Sequence, residues 1–283
     1  MELEREKEIF SYKISANYLS NFMPKRKFLE QTIKRMAFIP RYNYEYLDYL
    51  KISFDMEEIN GVFLPMVCFC DIPLHQLSVH AEGSQGYGKF GIALTKEWGD
   101  RQGLQPIHYI NPNSKFSKQF RNSLNLVLNQ ISQHDEIDKT IDEISESLFE
   151  QLCFMKPNVG CMDKTIDDKK AQIKKNFHDE HEWRYIPNLQ TDEIPEMIID
   201  PIDQEYFVAE RDTRIFTDLL IKIKRSYLPF RATDVKYIFV ETGKDRLDLI
   251  NFVLSLKGRK INKQEKHLII SKIIVYSDLV EDL

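Results

Sequence analysis

The chain has 283 residues, of which 42% are apolar, 29% charged and 12% aromatic, enough to build a core and keep its surface wet. This composition excludes low-complexity, collagen-like and disulfide-scaffold chains. With 39 basic against 44 acidic side chains the net charge is -5, which argues against a general polyanion-binding coat and leaves only local basic patches open.

No repeat and no Gly/Ser- or Pro-rich linker interrupts the sequence, so residues 1–283 read as one continuous domain. The first ten residues hold no apolar h-region. The apolar run from Gly61 to Phe69 falls well short of the ~20 residues that a spanning helix needs. The expectation is a cytoplasmic protein with no membrane partner. Four cysteines do not make a disulfide framework. Cys68 and Cys70 flank one phenylalanine and share a face in an extended strand, where two buried thiols are the simpler reading than a metal pair. No metal is expected.

In chain order, Lys25 to Met36 carries Leu29, Ile33 and Met36 at helical spacing, with Pro24 at the first turn. Gly61 to Asp71 reads as a strand ended by Pro73, followed by a short helix through Leu74, Leu77 and His80. A turn holding Gly83, Gly86 and Gly88 leads to a strand over Phe90 to Leu94. Thr95 then caps a helix over Lys96 to Arg101 anchored by Trp98. Gly103 ends that helix, and Pro106 to Ile110 is a third strand.

Two amphipathic helices follow, one through Phe116, Phe120, Leu124, Val127, Leu128 and Ile131, the other through Ile137, Ile141, Ile144, Leu148 and Leu152. The second is strongly acidic (Asp142, Glu143, Glu146, Glu150), a solvated face or a surface for a basic partner. Residues 113–175 therefore read as a helical insertion. Strand signals return at Trp183 to Ile186, Tyr206 to Ala209, Val235 to Glu241 and Leu268 to Tyr276, with helices over Thr213 to Lys224 and Asp245 to Leu256. Strands and helices interleave without regular βαβ spacing, which gives an α+β fold with a mixed sheet.

Three segments could carry chemistry. Residues 176–186 concentrate ionisable groups before a strand. In extended backbone Glu180 and Glu182 would point the same way, about 7 Å apart. Such a pair can divide roles, one orienting a nucleophile and one holding developing positive charge. The alternative is a strand edge with solvated acids, one of them paired to Arg184. In the second segment Asp71 sits where a strand stops, as a helix cap would, and the following glycines allow close backbone approach beside Tyr87. In the third, Arg41 leaves a proline-fixed turn and could grip a phosphate bidentately, or form a surface pair with Glu45.

In their order, the strings at residues 38–45, 65–74, 87–110, 179–187 and 234–241 resemble the AbiGi family. The resemblance runs from about Ile14 to Tyr276, least in the helical insertion. Cys-Phe-Cys-Asp-Ile-Pro-Leu (68–74) and Gly-Ile-Ala-Leu-Thr-Lys-Glu-Trp (91–98) are its specific part. It implies a bacterial abortive-infection component described as the antitoxin of a two-gene system, and hence a toxin partner.

The layout is also distantly similar to ADP-ribosyltransferases of the DarT kind. That similarity implies a mixed-sheet core of ADP-ribosyltransferase type and an NAD cofactor. Arg41 would approach the NAD phosphates and Tyr87 the nicotinamide, with Asp71 and His80 as further cofactor-binding positions. Glu182, or else Glu180, would be the catalytic carboxylate, stabilising the positive charge that develops on the ribose. Such relatives carry a Phe-His-Phe-Thr type segment before the first helix. Here residues 19–27 hold no histidine, and the first histidine of the chain is His75. Three functions therefore stand side by side: a regulatory protein that binds a toxin, an active NAD-dependent ADP-ribosyltransferase, and a nucleic-acid-binding component using Lys25, Arg26, Lys27, Lys34 and Arg35, or Lys222, Lys224 and Arg225. Whether the chain is an enzyme stays open, as does its oligomeric state.

Overall fold

The computed structural model describes residues 15–77, 86–134, 138–166, 169–189, 194–206, 213–257 and 261–282. Among these, nine strands join in one mixed sheet. The first elements are β1 (Tyr18–Met23), α1 (Arg26–Arg35), β2 (Arg41–Tyr46), β3 (Gly61–Cys70), β4 (Phe90–Thr95) and α2 (Lys96–Arg101). Next come β5 (Gln105–Pro106), β6 (His108–Ile110), α3 (Lys115–Gln133), α4 (Lys139–Leu152), β7 (Met155–Pro157), β8 (Val159–Ile166) and β9 (Lys169–Asn176). The chain continues through β10 (Glu182–Tyr185), β11 (Ile198–Asp200), α5 (Arg214–Leu220), β12 (Val235–Val240), α6 (Gly243–Ser255), α7 (Lys263–Ile270), β13 (Ile273–Val275) and α8 (Tyr276–Asp282).

The main path of the sheet runs β13-β12-β4-β1-β3-β10-β5, parallel only between β12 and β13. β3 is nearly all apolar because both of its faces are covered. Val67 and Phe69 pack with Leu29, Phe38 and Trp98, while Leu64 and Met66 pack with Leu124, Leu128 and Met155. Thr95 accepts the Trp98 backbone N–H at 3.3 Å, and the Trp98 indole donates to the Pro229 carbonyl at 3.0 Å, so the cap and the anchor both form as the sequence implies.

The sheet divides at β3. β1 pairs with it at a single position, Ser20 opposite Cys70. The first half of β3 pairs instead with β2, from Arg41 opposite Met66 to Tyr46 opposite Gly61. Asn21 Nδ2 donates to the Cys68 carbonyl at 2.8 Å where β1 diverges. A cleft opens between β1 and β2 at this split.

Several expectations need correction. Residues 113–175 are helical only as far as Leu152; β7 and the β8–β9 hairpin follow, the hairpin paired from Val159 opposite Asn176 to Ile166 opposite Lys169. Arg41 opens β2 directly after Pro40, so the chain that leaves the proline-fixed turn continues as a strand. Pro106 to Ile110 is two short strands with different partners, β5 on β10 and β6 on β7. Leu268 to Tyr276 holds the end of α7, the short strand β13 and the start of α8; Asn262 caps α7 by accepting the Glu265 N–H at 2.9 Å. Tyr206 lies in a 3-10 turn, and the rest of its proposed strand lies outside the described residues. Among the described residues no helix is long and apolar enough to cross a membrane.

Candidate functional site

The cleft has a volume of about 820 Å³, within the range of small-molecule sites, and Arg41, Tyr87, Glu180 and Glu182 all line it. β2, a loop before β4, a 3-10 turn and β10 deliver these side chains from far-separated stretches of sequence. Gly88 positions Tyr87. Its φ of 108° lies in the left-handed region, and a Cβ there would stand 2.4 Å from the Met23 carbonyl oxygen, so only glycine lets this loop lie against the end of β1.

Glu180 and Glu182 are not an extended Glu-x-Glu pair. Glu180 ends a 3-10 turn, His181 adopts φ 45° and ψ 50°, and Glu182 opens β10. The left-handed residue reverses the alternation, yet both carboxylates converge on one ammonium. Lys156 Nζ, carried by β7, lies 3.5 Å from Glu180, 3.0 Å from Glu182 and 3.9 Å from Glu45. Arg184 Nε donates to Glu182 Oε1 at 3.0 Å, Arg184 Nη2 lies 3.3 Å from Glu45, and Nη1 donates to the Cys153 carbonyl at 2.6 Å. Lys175 reaches Glu180 at 2.7 Å and stands 4.3 Å from the Tyr87 ring centre, and the Tyr87 hydroxyl donates to Glu180 Oε1. Three acids and three bases thus form one buried network at the cleft wall.

Burial would push the Glu182 carboxyl up; Arg184 first, then Lys156, outweigh it and hold it down to about 2. Glu180 is lowered in the same way, burial being overcome by Lys156 and Lys175. Lys156 is raised well above the ordinary lysine range, because the three carboxylates outweigh its desolvation. Burial and Glu180 push the Tyr87 hydroxyl up, so it stays a proton donor. Burial likewise raises the Cys68 thiol, and Cys70 is raised by the same cause, so neither is a poised nucleophile.

The remaining positions fall elsewhere. Arg41 is exposed, with its guanidinium 5.3 Å over the Phe28 ring. It does not pair with Glu45, because four residues of strand separate their Cα atoms by about 13 Å. Asp71 is not among the residues lining the cleft. It forms a buried ion pair of 2.6 Å with Lys96, which also donates to Ser15 Oγ at 3.0 Å. Asp71, expected as a cofactor-binding position, is here the partner of Lys96. His80 lies outside the described residues.

The acids of residues 180–182 are buried, not solvated, although Arg184 pairs with one of them as expected. No group of three metal-ligating side chains is found among the described residues. The basic helix α1 spends Arg26 on Asp245 (3.0 Å) and Asp248 (2.6 Å) of α6. Glu45, Lys156 and Lys175 belong to the network; Glu45 ends the string at residues 38–45, whereas nothing in a lone Met-Lys-Pro or a lysine-rich strand marks Lys156 and Lys175.

A family model described as "Putative abortive phage resistance protein AbiGi, antitoxin" matches residues 36–241. An abortive phage resistance protein AbiGi of Lactococcus lactis subsp. cremoris is 42% identical over 252 residues, covering 87% of this chain and 100% of that protein. No solved structure matches the chain.

Proposed function

The chain belongs to the AbiGi family of abortive phage resistance proteins, and on that premise we propose that it acts as an antitoxin-like regulatory protein that binds a toxin encoded beside it. The observation that carries this reading is the engagement of Glu180 and Glu182. A carboxylate that stabilises a developing cation must present an oxygen to the substrate. Here Glu182 offers one oxygen to Arg184 and the other to Lys156, and Glu180 is held by Lys175, Lys156 and Tyr87. The missing histidine in residues 19–27 supports the same conclusion. Co-expression with the neighbouring gene and affinity capture tests it: the two products co-purify and the partner's toxicity falls. A free chain that leaves toxicity unchanged overturns it.

A second reading, an NAD-dependent ADP-ribosyltransferase acting on nucleic acid or protein, is favoured by one observation: Arg41, Tyr87, Glu180 and Glu182 line one cleft of cofactor size. An exposed guanidinium at one part of that cleft and carboxylates at another suit a molecule with phosphates and a sugar. NAD, when bound, supplies an activated glycosidic bond. Arg41 would hold its phosphates, and Glu182 would face the ribose once Lys156 moved aside. Labelled NAD with the wild type and Glu182→Ala decides it. Equal label on both proteins, or none on either, removes this reading.

A further inference from the structure

Three elements build the solvent edge of the cleft. α1 turns Phe28 and Arg35 towards it, two helical turns and about 10 Å apart on one face. α5 turns Arg214 and Ile221 towards it, again two turns apart. Arg41 of β2 links the two helices. Its guanidinium lies 5.3 Å over the Phe28 ring, and the N–H of the next residue, Tyr42, donates to Thr217 Oγ1 of α5 at 3.3 Å.

The positive charge on this rim is unspent. Neither Arg35 nor Arg41 has a carboxylate partner among the described residues; Arg35 Nη1 donates to Gln31 Oε1 at 3.4 Å, a neutral contact. Lys27 Nζ stands 5.1 Å from the Phe28 ring centre, so one aromatic ring carries two cations. By contrast Arg26 of the same helix is engaged by Glu30, Asp245 and Asp248. A chain of net charge -5 therefore gathers unpaired cations at one place. Apolar groups adjoin them. Ile221 is 45% exposed, and Ile215 on the solvent side of α5 is 51% exposed. A phosphate backbone leaves isoleucines in water, whereas protein interfaces bury apolar side chains next to arginine. The mixture of guanidinium and isoleucine thus favours a protein over a nucleic acid.

We propose that this rim is the docking surface for the chain's protein partner, and that the partner presents an acidic segment with an apolar anchor. Carboxylates of that segment meet Arg35 and Arg41, and the anchor covers Ile221. The proposal rests on the toxin-binding reading above and adds to it the surface used and the charge of the toxin's matching face.

The test titrates the full chain with the product of the neighbouring gene in calorimetry, at low and at high salt. The double variant Arg35→Glu/Arg41→Glu binds about tenfold more weakly or worse, and the wild-type affinity falls as salt screens the rim. Ile221→Ser binds about fivefold more weakly, through lost apolar burial alone. Lys139→Glu, a charge reversal at an exposed position of α4, binds as the wild type does. Melting with the wild type shows that each variant is folded; if the double variant melts early, Arg41→Gln and Ile221→Ser decide. No binding to the wild type overturns this proposal together with the toxin-binding reading. Binding to the wild type that the rim variants retain, or that Lys139→Glu weakens equally, overturns the docking surface alone. A DNA or RNA oligonucleotide that binds with a steep salt dependence, is lost in the double variant and is kept by Ile221→Ser assigns the rim to nucleic acid and overturns it as well.

Discussion

Arg184 and Glu182, two residues apart on β10 and on the same face of the sheet, form a hydrogen-bonded ion pair of 3.0 Å with Arg184 fully buried. The pair fixes one oxygen of the carboxylate that faces the cleft and leaves the other to Lys156. Removing one member leaves an uncompensated charge in the interior, whereas removing both does not. Arg184→Met is therefore expected to lose about 3–5 kcal/mol of stability, and the double variant Arg184→Met/Glu182→Met to recover much of it. Urea unfolding of the four proteins of the cycle checks this; additive losses would show that the two side chains act separately.

The pH dependence follows from the same carboxylate. Glu182 falls from an ordinary value of 4.5 to about 2 in the folded chain. A lowered folded-state value contributes stability that is present above the unfolded value and is lost as pH falls through the folded one. The stability gap between the wild type and Glu182→Gln should be widest at neutral pH, narrow below about 4.5 and be smallest near 2. A gap constant from pH 7 to pH 3 would contradict the ion-pair account.

Asp71 and Lys96 are a second buried pair, away from the cleft. Lys96→Met leaves the buried Asp71 carboxyl without its partner, and a loss of about 3–5 kcal/mol is expected by melting or urea unfolding.

Gly88→Ala places a Cβ at 2.4 Å from the Met23 carbonyl oxygen on a backbone already at φ 108°. The strain should cost about 1–3 kcal/mol and shift Tyr87 off Glu180. Tyrosine hydroxyl resonances, or a downward change in the Tyr87 pKa followed by ultraviolet titration, report the shift. A variant that melts with the wild type and keeps the Tyr87 contact would show that the loop can move freely.

The sequence by itself carried the local grammar. Thr95 and Trp98 announced α2, the apolar run before Asp71 announced the central strand, and the spacing of Leu29 and Ile33 announced α1, because caps and periodicity are properties of neighbouring residues. Motif order alone also pointed to the family. What only the tertiary structure decided was the state of the candidate residues. Glu180 and Glu182 were legible as a charged pair. Their burial beneath Lys156 was not, because Lys156 comes from β7, more than twenty residues earlier, and meets them only through packing. Glu45 read as a surface partner of Arg41, until the pairing of β2 with β3 turned it towards Arg184. Nothing in the sequence marks β1, and its single paired position on β3, Ser20 opposite Cys70, is a feature of long-range strand registry that no stretch of neighbouring residues encodes.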